Sequence, residues 1–329
     1  MKLPRRKFLQ LAATAAALPA VSGIATAQAY PTRPITMIVP YPPGGLFDAL
    51  ARVLAEPMRA ALSQPVVIEN IGGAGGSIGV GRVARAVPDG YTVTVGSADQ
   101  FVVNAAIYSL QYDVVKDFEP VALLMSGPTL IVSKTGVPSN NLKELIAWLK
   151  ANHNKVVQGH NGSGGAQHLC GIELQRAAGA SWQFVPYRGA APALQDVIGG
   201  RVDVLCPSPA GSLAMVQSGL MRAYAVTGST RLPALPDIPT ATESGFPELH
   251  ILVWGGLFAP KGTPENAIAK LNSAVMSSLA NPAVRLQLAN LGQEIPPPER
   301  QTPEALRALQ KAEIEKWWPI IKEAGIKAE

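Results

Sequence analysis

Ile35-Thr36-Met37-Ile38-Val39-Pro40-Tyr41-Pro42-Pro43-Gly44-Gly45-Leu46-Phe47-Asp48 joins a short β-branched run to an amphipathic stretch through a turn rich in proline and glycine. The first five residues predict a strand. From about Leu46 to Leu62, Leu46, Leu50, Val53, Leu54 and Ala61 share one stripe and predict a helix, with a kink expected at Pro57. Glycines between a strand and a helix let backbone amides approach a ligand, and a helix start adds partial positive charge. The turn therefore suits a carboxylate or a phosphate, and Tyr41, Gly44, Gly45, Leu46, Phe47 and Asp48 are candidate binding residues. Asp48 also has a purely structural role open to it, as a cap or as a partner for Arg52 one helical turn on.

The same alternation continues along the chain. Strand candidates are Ile35–Val39, Val66–Glu69, Tyr91–Val95, Leu130–Ser133, Val156–Gln158, Gln183–Val185, Val202–Leu205 and Ala223–Thr227, separated by amphipathic segments. That order predicts an α/β fold with mostly parallel sheets. Two further loops follow strands: one with Ser97, Asp99 and Gln100, the other running from Gly159 to His168 with Ser163, Gly164 and Gly165. In open α/β sheets ligands sit beyond the carboxyl ends of strands, so all three loops are expected to face one cleft. Three late helices should open at Thr263-Pro264, Asn281-Pro282 and Thr302-Pro303, each with a capping side chain before proline. The last should end at Gly325, with Trp317, Trp318, Ile320 and Ile321 docking it on the core.

The 329 residues carry 28 basic and 23 acidic side chains, a net charge of +5. Lys2, Arg5, Arg6 and Lys7 lie in the first seven residues, and without those four the balance is +1. A near-neutral body carries no electrostatic footprint for nucleic acid. Residues 1–29 have a basic head, an apolar run and the small-residue end Ala27-Gln28-Ala29, the layout of a secretory signal peptide cut before Tyr30. Arg5-Arg6-Lys7-Phe8-Leu9 resembles a twin-arginine export signal, and the mature chain is expected in the periplasm. No later apolar stretch is long enough to span a bilayer.

Enzyme and metal motifs fail on spacing. The Gly72–Gly79 run lacks the third glycine and the following acid of a dinucleotide turn, a Walker lysine is absent, and Asn161 stands where a nucleophile elbow needs glycine. His160 and His168 read as loop or cap residues, not metal ligands. No catalytic residue, metal or cofactor is expected. For Cys170 and Cys206 two separate buried thiols are the preferred state, with a disulfide permitted in an oxidising compartment.

Ordered blocks along the mature chain carry a likeness to a family: Tyr30-Pro31-Thr32-Arg33-Pro34-Ile35, Val39-Pro40-Tyr41-Pro42-Pro43-Gly44-Gly45, Val67-Ile68-Glu69-Asn70, Pro88-Asp89-Gly90-Tyr91-Thr92, Asp117-Phe118 with Pro120-Val121, Val185-Pro186-Tyr187-Arg188-Gly189, Leu235-Pro236-Asp237-Ile238-Pro239-Thr240 and Leu257-Phe258-Ala259-Pro260. The sequence resembles the Bug family, the substrate-binding proteins of tripartite tricarboxylate transporters. The resemblance implies a two-lobed, type II-like periplasmic binding fold that closes on a small organic carboxylate and presents it to the membrane permease subunits, with no cofactor and no chemistry on the ligand. It implies a monomer with lobe 1 over 30–128, lobe 2 over 129–250 and a return to lobe 1 over 251–329. It adds Ser163, Gly164, Gly165 and His168, then Tyr187, Arg188, Gly189 and Ala190, then Pro207 and Ser208, to the binding candidates. A role as a sensor that engages a membrane kinase is the alternative, with a periplasmic enzyme behind it.

Departures from the family pattern bear on the ligand. Phe47 stands where threonine is common, which leads us to expect a ligand with an apolar or aromatic body in preference to citrate. Asp99-Gln100 replaces serine or threonine, and Asp99 can either meet a hydroxyl, an amine or a protonated acid, or cap the next helix. Cys206-Pro207 replaces an aromatic residue and an aspartate.

Overall fold

A computed structural model describes residues 30–187 and 189–327. The leader, its twin-arginine motif and Arg188 lie outside the described residues. Ten strands form two five-stranded sheets. The first has the order β2-β1-β3-β10-β4, from β1 (Ile35–Val39), β2 (Val66–Asn70), β3 (Thr92–Ser97), β4 (Phe118–Pro128) and β10 (Leu252–Pro260). The second has the order β7-β6-β8-β5-β9, from β5 (Leu130–Lys134), β6 (Val157–His160), β7 (Gln183–Pro186), β8 (Val204–Leu205) and β9 (Met221–Val226). The chain thus leaves the first sheet at Pro128, enters the second at Leu130 and is back in the first by Leu252.

Each sheet is mixed, with four strands running one way and one reversed: β10 runs antiparallel to β3 and β4, and β5 antiparallel to β8 and β9. These are the strands by which the chain arrives from the other lobe. Parallel neighbours need a crossover helix within the lobe, and an arriving strand has none.

The helices are α1 (Leu46–Leu62), α2 (Ser77–Ala84), the single turn α3 (Asn104–Ile107), α4 (Leu142–Ala151), α5 (Ala166–Ala178), α6 (Ala190–Ile198), α7 (Pro209–Gln217), α8 (Glu265–Ala280), α9 (Pro282–Asn290) and α10 (Pro303–Glu323). A π-helical turn, Asp99–Val103, precedes α3. Helix α1 has the expected bounds and runs on through Pro57; it buries Phe47, Leu50, Leu54, Met58 and Leu62, whereas Ala61 of the expected stripe is exposed.

All eight expected strands form, with ends shifted by up to two residues. β4 and β10 are additional. They contain Pro120, Gly127 and the pair Gly255-Gly256, and the β4–β10 register shifts at Gly255/Gly256 and again at Leu257/Phe258. Such residues weaken a strand signal, yet here the second glycine pair and its bulge admit side chains: a Cβ on Gly255 would lie 2.9 Å from the Phe47 ring.

Two of the three expected caps are made. Asn281 accepts from the Ala283 amide at 2.9 Å and Thr302 from the Ala305 amide at 3.1 Å. Thr263 turns away, because α8 starts a residue later than expected, and its hydroxyl donates to the Pro260 carbonyl at 2.8 Å. Helix α10 docks as anticipated through Trp317, Ile320 and Ile321, whereas Trp318 stays 39% exposed. The Trp318 indole N–H donates to the Val102 carbonyl at 2.9 Å, and Gln310 donates to the carbonyls of Phe101 and Val114. The last helix therefore holds the π-helical turn that follows β3.

The cysteines correct the expectation of separate thiols. Cys170 and Cys206 form a disulfide with Cα atoms 6.3 Å apart, within the distance such a bond spans. Helix α5 lies along the second sheet, so a residue early in the helix meets the end of β8. Sequence separation does not report that approach.

Candidate functional site

β1 and β3 are parallel neighbours, paired Thr36 to Thr92, so the loops after them emerge side by side. The Tyr41 hydroxyl donates to Gln100 Oε1 at 2.9 Å and lies 2.8 Å from Ser97 Oγ. Gln100 Oε1 also accepts from the amide and hydroxyl of Ser97, while Gln100 Nε2 donates to the Gly75 carbonyl at 2.9 Å. With 1% exposure for Gln100 and 3% for Ser97, both are committed behind Tyr41. They brace the loop from within.

Asp48 is likewise turned to structural use. It is 4% exposed and accepts from the Gly44 amide at 2.8 Å, from Arg52 Nε at 3.0 Å and from Asn70 Nδ2 at 3.0 Å. Hydrogen bonding from Arg52 leads the causes that lower its carboxyl pKa to about 2. Its three donors come from the loop, the helix and the neighbouring strand. Gly44 has φ of +85°, a left-handed conformation that a side chain would strain, and nothing lies within 4 Å of where its Cβ would be.

Phe47 corrects the pocket-lining expectation. Its ring stacks on Tyr41 with centroids 4.7 Å apart, its edge meets Gly255, and it is 7% exposed. It backs the tyrosine and offers little surface to a ligand. What the turn leaves available is the start of α1, capped by Gly45 without a side-chain bond, where the amides of Leu46 and Phe47 precede any acceptor in the helix.

The second lobe repeats this layout three times. β7, β6 and β8 are parallel and adjacent, so the loops at 161–165, 187–189 and 206–208 leave the same edge. They start α5, α6 and α7, whose caps are Gly165, Gly189 and Ser208, again with no side-chain cap bond. Helices α4, α9 and α10 do carry side-chain caps. Helices α2, α3 and α8 also lack side-chain caps, but the open starts of α1, α5, α6 and α7 are the ones at strand ends that bear the candidate loops, and such starts attract anions.

His160 ends β6 and His168 lies in the first turn of α5, and each ring holds an amide of the loop between them. His160 Nδ1 accepts from the Gly162 amide at 3.2 Å and His168 Nδ1 from the Gly164 amide at 2.9 Å. Accepting at Nδ1 puts the proton of each neutral ring on Nε2. The rings stack at 4.4 Å, and Phe184 meets His168 edge-on at 4.6 Å. Burial, followed by the neighbouring His160, brings the His168 pKa down to about 4. Tyr187 points its hydroxyl to Asp196 at 2.8 Å, and burial pushes the phenol up to about 12. Pro207 is buried, and its carbonyl accepts from the Leu130 amide; the Ser208 carbonyl accepts from Ser212. Ser163 and Ala190 are half-buried and Gly189 is exposed.

The two loop sets meet. Gly164 has φ of +77°, and a Cβ there would fall 2.2 Å from Val103 Cγ1, so only glycine fits against the π-helical turn of the other lobe. A Cβ on Gly165 would lie 4.0 Å from Asp99 Oδ1. Asp99 is half-buried, and burial raises its carboxyl pKa to about 6, with the Tyr41 hydroxyl acting the other way. Sequence reasoning missed Val103, which no motif marks, and Asn70 and Asn104. Asn70 stands in one of the recognised blocks, and Asn104 donates to the Gly75 carbonyl at 2.9 Å beside Gln100. Among the described residues no group of three His, Cys, Asp or Glu could hold a metal, and no helix is long and apolar enough to cross a membrane.

Known proteins share this architecture. BugD, described as a periplasmic binding protein, superposes with a TM-score of 0.76 at 40% identity, covering 91% of this chain and 100% of BugD. MatC of Rhodopseudomonas palustris, solved with bound malate, gives 0.77 at 37% identity over 89% of this chain and 100% of its own. Rpa4515 of R. palustris, solved with adipate, gives 0.77 at 30% identity over 91% and 99%. The sequence model of the tripartite tricarboxylate transporter family receptors matches residues 50–326, and the chain belongs to that family.

Proposed function

We propose that this protein is an extracytoplasmic receptor that binds a small carboxylate between its lobes and hands it to the membrane subunits of a tripartite tricarboxylate-type transporter. The observation that carries the reading is the gathering of open helix starts. The N-termini of α1, α5, α6 and α7 lack side-chain caps and stand at strand ends of two sheets whose loops touch at Gly164 and Val103. A carboxylate accepts several hydrogen bonds at once, and backbone amides of helix starts supply them without a formal charge. The malate and adipate of MatC and Rpa4515 support a carboxylate here.

In this reading lobe 1 comprises 30–128 and 251–329, lobe 2 comprises 129–250, and hinge motion between them couples occupancy to the surface a permease reads. Residues 1–29 act as a twin-arginine leader removed before Tyr30, and the mature chain works in the periplasm. No residue serves as a catalyst.

Calorimetric titration of refolded protein with a panel of mono-, di- and tricarboxylates tests the binding step. A saturable heat for at least one acid, and none for its amide, is the expected result. Affinity for neutral sugars with none for any acid would sink the proposal. Co-purification with the membrane subunits tests the transport step, and the intact mass of the exported chain tests the cleavage site.

A further inference from the structure

Asp99 is the one acidic candidate that the loops do not use up. Asp48 accepts three hydrogen bonds from its surroundings, whereas Asp99 forms no ion pair among the described residues, and its only side-chain interaction is with the Tyr41 hydroxyl. That hydroxyl has one proton, which Gln100 Oε1 also accepts at 2.9 Å, so Asp99 has at most a shared donor. The Asp99 amide is held by Ser97 Oγ at 3.1 Å, and Gln310 and Trp318 hold the carbonyls of Phe101 and Val102. Its backbone is fixed while its carboxylate remains short of donors, at the seam facing the Gly165 cap of α5.

We propose that Asp99 makes the site selective for carboxylates that carry a hydrogen-bond donor, a hydroxyl or an ammonium group, beside the carboxylate. This rests on the carboxylate reading of the cleft. The ligand's carboxylate goes to open helix starts a few ångströms from Asp99, and two carboxylates at that range disfavour one another unless a proton lies between them. A hydroxyl or ammonium on the ligand supplies that proton and gives Asp99 a charge-assisted hydrogen bond. An otherwise identical acid without the donor leaves the two anions face to face. Sites built to hydrogen-bond such a group reject analogues that lack it.

Matched pairs test this directly: lactate against propionate, malate against succinate, 2-hydroxyglutarate against glutarate and mandelate against phenylacetate, with alanine, aspartate, glutamate and phenylglycine as the amino arms. The tightest-binding pair should favour the donor-bearing acid by about tenfold or more. The hydroxy and amino arms separate the two kinds of donor. Asp99→Asn and Asp99→Ser should bring the ratio down towards one, mainly by weakening the donor-bearing acid, with an unchanged circular dichroism spectrum to show that both variants fold. Equal affinity within the pairs, or a preference that survives both substitutions, overturns the proposal while leaving the carboxylate reading intact. Binding of no carboxylate at all overturns both.

Discussion

The two candidate loops are braced with different materials. In lobe 1 the turn at 41–48 is stiffened by a charged network, in which Asp48 gathers the Gly44 amide, Arg52 and Asn70, and by the neutral cluster of Tyr41, Ser97 and Gln100. In lobe 2 the loop at 161–168 hangs on two neutral imidazoles, and a disulfide ties the helix that follows it to the end of β8. Both leave the helix starts open. A side chain that braces an anion site from beneath need not share the charge of the ligand, provided its own donors and acceptors are matched. The difference shows in what breaks each half.

The covalent tie gives the largest contrast. Replacing Cys170 and Cys206 together by serine should lower stability by about 2–4 kcal/mol, and the loss should fall on lobe 2. Chemical unfolding followed by hydrogen exchange would then show lobe 2 amides opening below the global transition while β1 to β3 stay protected. Uniform loss across both sheets would contradict this local role.

Next comes the seam. Gly164→Ala combines a left-handed φ with a Cβ only 2.2 Å from Val103 Cγ1, and we expect ligand affinity to fall about a hundredfold, or about 2.7 kcal/mol. Val103→Ala in the same chain should recover part of that loss, because it removes the clash and leaves the backbone strain. Titration calorimetry on the three variants would separate these contributions.

A smaller effect is expected from the lobe 1 network. Asp48→Ala leaves the Gly44 amide and the half-buried Asn70 without their shared acceptor and should cost about 1–3 kcal/mol. Arg52→Ala should cost less, since Arg52 is exposed to solvent. Thermal unfolding of both variants checks the ranking, and an equal cost would mean that the ion pair outweighs the amide contact.

The finest distinction is in pH. The His168 pKa falls from 6.5 unfolded to about 4 folded, so its neutral form is favoured in the fold. The corresponding stability is present above 6.5 and is lost as pH falls from there towards 4. The Asp48 pKa falls from 3.8 to about 2, so its contribution persists to lower pH and is lost only between those values. Amide exchange followed by NMR should show Gly164 losing protection on mild acidification while Gly44 keeps it. The reverse order would invalidate the contrast between the loops.

Much of this was readable from residue order. β-Branched runs ending in glycine located eight of the ten strands, because a buried parallel strand has little freedom in composition. β4 and β10 escaped because Pro120, Gly127 and Gly255-Gly256 serve edges, crossings and bulges whose need arises only from the assembled sheets. Glycine after a strand marked the places where helix starts are left without side-chain caps. The side chains within them were harder to assign. Asp48, Ser97, Gln100 and His168 have the donor and acceptor chemistry of ligand contacts, yet it is spent on neighbouring backbone and side chains, and the direction in which a polar group points is decided by packing far along the chain. Phe47 shows the same limit: its partner Gly255 lies 208 residues away in sequence.

The clamp by α10 sets an order of assembly. Strands β5 to β9 form one uninterrupted stretch of chain, from Leu130 to Val226, so the second sheet has all its strands before the final hundred residues are made. The first sheet waits for β10, and the turn bearing Asp99 waits longer still, for Gln310 and Trp318 near the chain's end. A chain cut before α10 would keep all ten strands and lose the donors that hold the turn bearing Asp99. The geometry of the turn bearing Asp99 is thereby made to depend on a helix more than two hundred residues further along the chain.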